Sequence, residues 1–253
     1  MTGRRVGWAL GSPVALLLLW ELCSRTNLVD SRVLPAPSAV LARVVELFGN
    51  GELVPHLEAT LVRFAAGLAL GVVAGVLVGL TMGLFDVVRR IVNPLIAVLY
   101  PLPRIAMFPL ILILLGFNER ANILEITLAP FFTMAISTLG AVLAIEPIYR
   151  DVAKSFETGT LDLYLRITLP AVLPAVIGGL RVSIGLALMS TTAVEFLAAN
   201  TGLGYLIWHA WQILSLEDCL AAMVVAGVLG TIAYGLVSLL ERVAVPWRAR
   251  VPA

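Results

Sequence analysis

Charge is scarce in this chain. Only 13% of its 253 residues are Asp, Glu, Lys or Arg, against about 25% in a soluble domain. The 16 acidic and 17 basic residues leave a net charge of +1, which gives no sign of a polyanionic partner, and no nucleic acid is expected. Cysteine is nearly absent. Cys23 and Cys219 lie far apart beside apolar runs and read as small buried hydrophobes, not as a disulfide or a metal site. The two histidines, His56 and His209, have no ligating neighbour at useful spacing. No Gly-x-x-x-x-Gly-Lys-Ser/Thr cradles ATP phosphates, no His-Glu-x-x-His holds zinc, and no serine sits in Gly-x-Ser-x-Gly. These absences leave no catalytic residue, metal or cofactor to expect in this chain. There is also no charged tail and no low-complexity linker, so one membrane domain fits the length.

What fills the chain is hydrophobic: 60% of the residues and a mean hydropathy of +1.00. A helix needs about 20 apolar residues to cross a bilayer. Six stretches qualify, at about Val6–Cys23, Phe64–Phe85, Ile91–Leu115, Ala121–Ile145, Pro174–Phe196 and Leu220–Leu240. The expected fold is therefore all-α and polytopic. The first stretch follows Arg4-Arg5, but no small-residue cleavage site follows it, so it reads as an uncleaved helix rather than a signal peptide.

Lysine and arginine set the orientation. With the N-terminus in the cytoplasm, Arg4, Arg5, Arg89, Arg90, Arg150, Lys154, Arg166, Arg181, Arg242, Arg248 and Arg250 all fall inside. The outer side receives Arg25, Arg32, Arg43, Arg63 and Arg120. Both termini are thus expected to be cytoplasmic. In the outer loop, Leu34-Pro-Ala-Pro-Ser38 gives an extended lead-in with Ser38 as the expected N-cap. Val40, Leu41, Val44, Val45 and Phe48 then recur at helical spacing, which predicts a short amphipathic helix on the outer surface or against the bundle.

The spans differ in what they carry. The second has Gly67, Gly71, Gly75, Gly79 and Gly83, a glycine every fourth residue. Such a face lets two backbones approach closely, which is what drives helix association in lipid. The third contains Pro94, Pro101, Pro103 and Pro109, each of which removes a backbone donor and kinks or breaks a helix. Arg104 lies within it. An intramembrane charge is costly, so Arg104 either pairs with Glu125 or Glu195, marks a cytoplasmic widening of the cavity, or has a direct substrate or gating role. The fifth span carries Ser183, Ser190, Thr191, Thr192 and Glu195. It is the most polar, and Ser183, Ser190, Thr191 and Glu195 are with Arg104 the expected lining of a route across the membrane. Hydroxyls in such helices also bond their own backbone. Trp208 and Trp211 follow at a depth that suits the outer interface belt.

One polar island interrupts this pattern, from Tyr149 to Thr168, and runs into Leu169-Pro170. A water-facing segment of this length between spans is expected to dock a soluble partner in the cytoplasm.

The island and its exit resemble the cytoplasmic loop of ATP-binding-cassette importer permeases. That family has Glu-Ala-Ala-x-x-x-Gly followed by Ile-x-Leu-Pro. This chain has Asp151-Val-Ala153-Lys-Ser-Phe-Glu157, then Ile167-Thr-Leu169-Pro170. Tyr100-Pro-Leu-Pro-Arg-Ile-Ala-Met-Phe-Pro-Leu110, Gly178-Gly-Leu-Arg181, Ala193-Val-Glu-Phe196 and Gly202-Leu-Gly-Tyr-Leu-Ile207 are similar to the nitrate, sulfonate and taurine subgroup. The resemblance covers about residues 34 to 242.

It implies a type I importer permease fold with a cytoplasmic coupling helix at about 147–156, begun by Pro147. It implies a second permease copy, usually identical, two cytoplasmic ATPases that bind the ATP and magnesium, and an extracytoplasmic solute-binding protein, all at a bacterial inner membrane. Asp151, Ala153, Lys154, Ser155, Phe156, Glu157, Gly159, Leu169 and Pro170 become the residues expected to couple to the ATPase. One departure stands out: the family glycine falls on Glu157, which does not take positive φ freely. Either the turn moves to Gly159 or the joint is reshaped. The subgroup favours small anions, with which Arg104 is compatible. The chain divides into an N-terminal span with its outer segment over 1–55, a permease domain over 56–245 with the coupling loop at 146–170, and a cytoplasmic tail over 246–253. Two rival classes remain: a membrane scaffold for an ATPase, which needs no proline-broken spans, and a secondary transporter, which often shows inverted repeats not evident here.

Overall fold

The computed structural model describes residues 3–246 except 27, 32, 147, 149–154, 156–158, 160, 161 and 163–166. Among the described residues every regular element is a helix. They are α1 (Gly3–Arg25), α2 (Pro37–Gly49), α3 (Leu53–Leu84), α4 (Asp86–Leu99), α5 (Arg104–Leu115), α6 (Glu119–Leu143), α7 (Leu169–Ala198), α8 (Leu203–Gln212) and α9 (Leu216–Ala244). Four of them, α3, α6, α7 and α9, are long and apolar enough to cross a membrane. The pair α4 and α5 qualifies as a fifth span only if taken together, because it bends by 105° at the break between them. The first expected span coincides with α1, a continuous 23-residue helix.

The break has a covalent cause. Pro101 and Pro103 cannot donate backbone hydrogen bonds, and Pro103, extended at ψ 104°, is the residue before α5. The residue before a proline is disfavoured in the helical region, which falls here on Leu102, so the third expected span is two helices rather than one. Pro94, Pro109 and Pro130 sit inside α4, α5 and α6, which continue through them.

The centre of the bundle is the seam between α3 and α6, its most extensive helix pair. All five glycines of the four-residue repeat face α6 and are buried. A Cβ on Gly71, Gly75 or Gly79 would lie 2.5, 2.5 or 2.6 Å from the carbonyl oxygens of Thr127, Phe131 and Ala135. Backbones this close bring Cα–H groups against carbonyls, a weak bond repeated along the seam. Because Gly67 meets Ile126 and Gly83 meets Val142, the two helices run parallel. α7 packs antiparallel on the other side of α6, with Gly179 against Met134 and Ser137. These registers put residues 63, 119 and 195–204 at one end of the bundle. The start of α4 and the island share the other end.

The amphipathic helix forms where expected, but its face and cap differ. Val40 and Leu47 are buried, while Leu41, Val45 and Phe48 are exposed. Only the Val40, Val44 and Leu47 stripe packs against the cluster built by α8 and α9. Ser38 is not the N-cap; Ala36 is, with Pro37 opening the helix and no side-chain cap. The Ser38 hydroxyl donates instead to Glu21 Oε1 at 2.7 Å, and its N–H to Oε2 at 3.0 Å, fastening α2 to α1. Arg43 Nε then donates to Asp218 at 2.5 Å. That bond, with a second to Glu46, pushes the guanidinium further above its usual range, so this clamp between α2 and α9 keeps its positive charge at any physiological pH. α8, between the fifth and sixth expected spans, has no counterpart in the six-span reading. Its Trp208 and Trp211 rings pack 5.0 Å apart.

Candidate functional site: charges inside the bundle

Two charged assemblies lie inside the apolar bundle, and their satisfaction differs completely. The first is built on Arg63 of α3. Its five N–H donors all find acceptors. Nε and Nη2 take the two oxygens of Glu119 at 2.8 and 2.6 Å. Nη1 takes Glu195 Oε1 at 3.0 Å and the Thr201 carbonyl at 2.5 Å, and Nη2 takes Thr201 Oγ1 at 3.2 Å. A guanidinium has no further donor to place. Glu195 is equally well served. It accepts from Thr60 Oγ1 at 2.9 Å and from the Gly204 N–H at 2.8 Å. Thr60 in turn accepts from the Leu203 N–H at 2.7 Å, and the Gly202 N–H meets His56 Nδ1 at 3.1 Å. The chain between α7 and α8 is thereby tied over the ends of α3, α6 and α7.

This assembly settles where Glu195 goes. Its partner is Arg63, not Arg104. Arg63 reads in the sequence as an outer-loop arginine, yet it stands four residues before Gly67 and shares the glycine face. That face is buried against α6, so an arginine on it is carried inside. This signal was available in the sequence: Arg63, Gly67, Gly71, Gly75, Gly79 and Gly83 are one series.

The second assembly has few bonds. Arg104 opens α5, is half-buried, and forms no hydrogen bond or ion pair among the described residues. No side chain caps its helix. Glu125 of α6 lies within electrostatic reach of Arg104, but no N···O separation between them is as short as 4.0 Å. Glu125 is 1% exposed, and neither carboxylate oxygen has a hydrogen-bond partner. One turn earlier on the same face, Asn122 Oδ1 is also buried and unpartnered. Ala121 and Ile126, their neighbours along α6, belong to the main apolar cluster with Phe108 and Ile184.

The hydroxyl face of α7 turns into the protomer. Ser183, Thr191 and Glu195 are fully enclosed and Ser190 is 8% exposed. Thr191 and Thr192 donate to the carbonyls of Ala187 and Leu188 at 2.8 and 3.0 Å, satisfying themselves within their own helix; Ser183 Oγ has no partner. The opposite side of α7 is the open one. Gly185, Met189, Thr192 and Phe196, with Ile105 of α5 and Ala226 of α9, line an apolar hollow of about 470 Å³.

At the island end, a hollow of about 640 Å³ opens among Ala141, Ile145, Glu146, Ile167, Ala171 and Pro174. Leu169 and Pro170 begin α7 beside it. Ser155 and Gly159 are exposed. Asp151, Ala153, Lys154, Phe156 and Glu157, and with them the expected coupling helix, lie outside the described residues. Among the described residues no group of three His, Cys, Asp or Glu side chains is placed to hold a metal.

Comparison with known proteins gives these features a setting. Residues 71–246 match the family of binding-protein-dependent transport system inner membrane components. A protein of Bacillus subtilis named for aliphatic sulfonates transport is 30% identical over 97% of this chain and 90% of its own length. The taurine transport system permease protein of Escherichia coli is 30% identical over 98% of this chain and 92% of its own. The formylaminopyrimidine transport permease protein of Halalkalibacterium halodurans is 27% identical over 93% of each. Among solved structures, the MetNI methionine transporter in an inward facing conformation superposes with a TM-score of 0.61 at 18% identity, covering 76% of this chain and 94% of that one.

Proposed function

We propose a function from one premise: the chain belongs to the family of binding-protein-dependent transport system inner membrane components. It is accordingly the permease component of an ATP-binding-cassette importer, a multi-pass protein of the inner membrane with the type I permease fold and no catalytic site of its own. The reading beyond this is ours. The chain pairs with a second, identical copy, receives its solute from an extracytoplasmic binding protein, and is driven by two cytoplasmic ATPases that bind ATP and magnesium. Both termini are cytoplasmic.

The ATPases dock on the island. Asp151, Ala153, Lys154, Ser155, Phe156, Glu157 and Gly159 are its contact residues, and Leu169 and Pro170 pass the motion into α7. The hollow at the root of the island supports this, since it leaves room for the loop to shift against α6 and α7. ATP binding draws the two loops together and turns the bundle outward; hydrolysis resets it. Each ligand biases that equilibrium only by its differential affinity for the two states.

The solute is a small anion of the sulfonate or carboxylate type. The observation that carries this is Arg104: the proline break sets a half-buried guanidinium at the start of α5, with no hydrogen bond or ion pair among the described residues. A charge in that position is expensive unless it serves a pathway. Two of the relatives bear the names of sulfonate solutes, which supports the same class. Ser183, Ser190, Thr191 and Glu195 hold the wall behind the route rather than its surface.

The test is reconstitution. The permease should co-purify with an ATP-binding-cassette ATPase, and the complex should accumulate a sulfonate in proteoliposomes supplied with ATP and binding protein. Uptake unchanged in Arg104→Gln removes Arg104 from the route. Failure to retain any ATPase overturns the importer reading of the assembly.

A further inference from the structure

α7 and α9 touch through two kinds of contact. Most are apolar. Ile177, Ile184 and Ala187 of α7 share a cluster with Ala233 and Val237 of α9, and a Cβ on Gly230 would meet the Leu188 side chain at 2.9 Å. In lipid such contacts carry no hydrophobic force and favour no single register. The other kind is polar and is built on Arg181. Its Nη2 donates to Glu241 and, at 3.4 Å, to the Ser238 hydroxyl. Its Cζ stands 5.5 Å from the centre of the Tyr234 ring. Tyr234, Ser238 and Glu241 follow one another on α9 at intervals of four and three residues, so they form one row. Arg181 is not locked into this row as Arg63 is into its pocket. Its Nε is buried with no hydrogen-bond partner, and its side chain is 32% exposed against 5% for Arg63.

We propose that this row is a track: when the island drives α7, Arg181 slides along α9 from Glu241 toward Tyr234, exchanging an ion pair for a cation–π contact. This rests on the reading of the island as the ATPase dock, and assigns the helix pair through which the stroke spreads. The register fixes the direction. Arg181 lies opposite Ser238 and Glu241, and Leu188 opposite Gly230, so α7 and α9 are antiparallel. A push on α7 from its island end therefore carries Arg181 toward Tyr234. A charge moved along a span needs a partner at every stage, because an unpaired one is costly there. Glu241, Ser238 and Tyr234 supply partners about one turn apart. A guanidinium can use all three, since it donates in a fork and also stacks on an aromatic face. One-turn movement of an element past its neighbour is an established form of switching. The hollow beside Ala171 and Pro174 gives the start of α7 room to follow.

The test measures the displacement itself. Spin labels are attached through Gly178→Cys on α7 and Met223→Cys on α9, both exposed positions, in a Cys23→Ser, Cys219→Ser background. The permease–ATPase complex is held in nanodiscs with binding protein, and labelled permease is diluted with unlabelled copies. The interspin distance is read without nucleotide and with a saturating non-hydrolysable ATP analogue. With Tyr234 in place it should shorten by about 5 Å, one helical turn. Tyr234→Phe, which keeps the ring, should behave the same. Tyr234→Leu should reduce the shifted population about tenfold, the worth of a desolvated cation–π contact. An unchanged distance with Tyr234 in place and the analogue bound overturns the track without recourse to any Tyr234 variant. A full shift in Tyr234→Leu overturns it as well. A permease that retains no ATPase overturns the docking reading beneath the track, and the track with it.

Discussion

Arg63 and Glu195 meet at 3.0 Å inside the bundle, with 5% and 0% of their side chains exposed. Neither charge could be there alone. Removing one partner of a buried pair strands the other at a cost of about 3–5 kcal/mol. Arg63→Ala is therefore expected to lose about that much stability and to free the chain over residues 199–204, which Arg63 holds through Thr201. Thermal unfolding in detergent, followed by the fraction that stays monodisperse, measures it. Arg63→Lys should rescue only part, because an ammonium has three donors and cannot make the paired contact with Glu119. A melting temperature unmoved by Arg63→Ala would sink the account of this assembly.

The same assembly places a demand on Gly202. Its φ is +121°, a region that only glycine occupies at low cost, and a Cβ there would run into the Glu195 carboxylate. Backbone strain of this kind costs about 1–3 kcal/mol, and displacement of a bonded carboxylate adds to it. Gly202→Ala should thus destabilise at least as much as an ordinary core truncation. Gly185→Ala, in α7, meets nothing within 4 Å and serves as the control. Equal melting temperatures for the two variants contradict the reading.

The seam between α3 and α6 makes a graded prediction. Gly75→Ala would put its methyl 2.5 Å from the Phe131 carbonyl and 2.7 Å from the Met134 Cβ, so both backbones must part. Overpacking of this sort costs about 1–3 kcal/mol, and Gly75→Leu should prevent assembly altogether. Gly140→Ala, on α6 but with open space around it, should be neutral or gain up to about 1 kcal/mol of helix propensity. Expression level and unfolding temperature across the three variants check the ordering.

How much of this was legible beforehand depends on the kind of signal. Hydropathy and glycine spacing work through local geometry, and they located the long helices and the face along which α3 meets α6. Proline chemistry is local too, and it marked the break that isolates Arg104. What failed was partner choice. Arg63 counted as an outer-loop charge because the expected span began at Phe64, whereas α3 begins at Leu53; the helix continues through His56, Thr60 and Arg63, which the Glu119 and Glu195 side chains and the chain leading into α8 satisfy. Such satisfaction is a tertiary property, invisible to a window of hydropathy. The Ser38 cap failed for the same reason, since Glu21 of a different helix competes for its hydroxyl. The polar face of α7 was seen correctly as a face, but polarity alone did not tell that it would turn inward, where its threonines satisfy themselves on their own backbone. α8 was missed because ten residues are too few to register as a span.

Coupling to the ATPase remains the proposal with the sharpest functional consequence. If the island is the docking surface, an apolar side chain on it should seat in the ATPase, and Phe156 is the large apolar residue at its centre. Phe156→Asp places a charge where an apolar contact is needed and leaves every described helix untouched. Insertion, dimerisation and the melting temperature of the permease should stay as in the wild type. Uptake in vesicles should fall nearly to background, while any ATPase that still associates hydrolyses ATP at its basal rate without stimulation by loaded binding protein. A structural role would lower the melting temperature along with the uptake; a docking role separates the two. Glu157 offers a second variant in the opposite direction. Glu157→Gly restores the residue that permits positive φ, so a turn forced onto Gly159 would gain an alternative. Uptake by Glu157→Gly at or above the wild-type level fits a tolerant joint, and its loss would mean that the joint is built around the glutamate. Wild-type uptake by Phe156→Asp refutes the docking role of the island whatever Glu157 does.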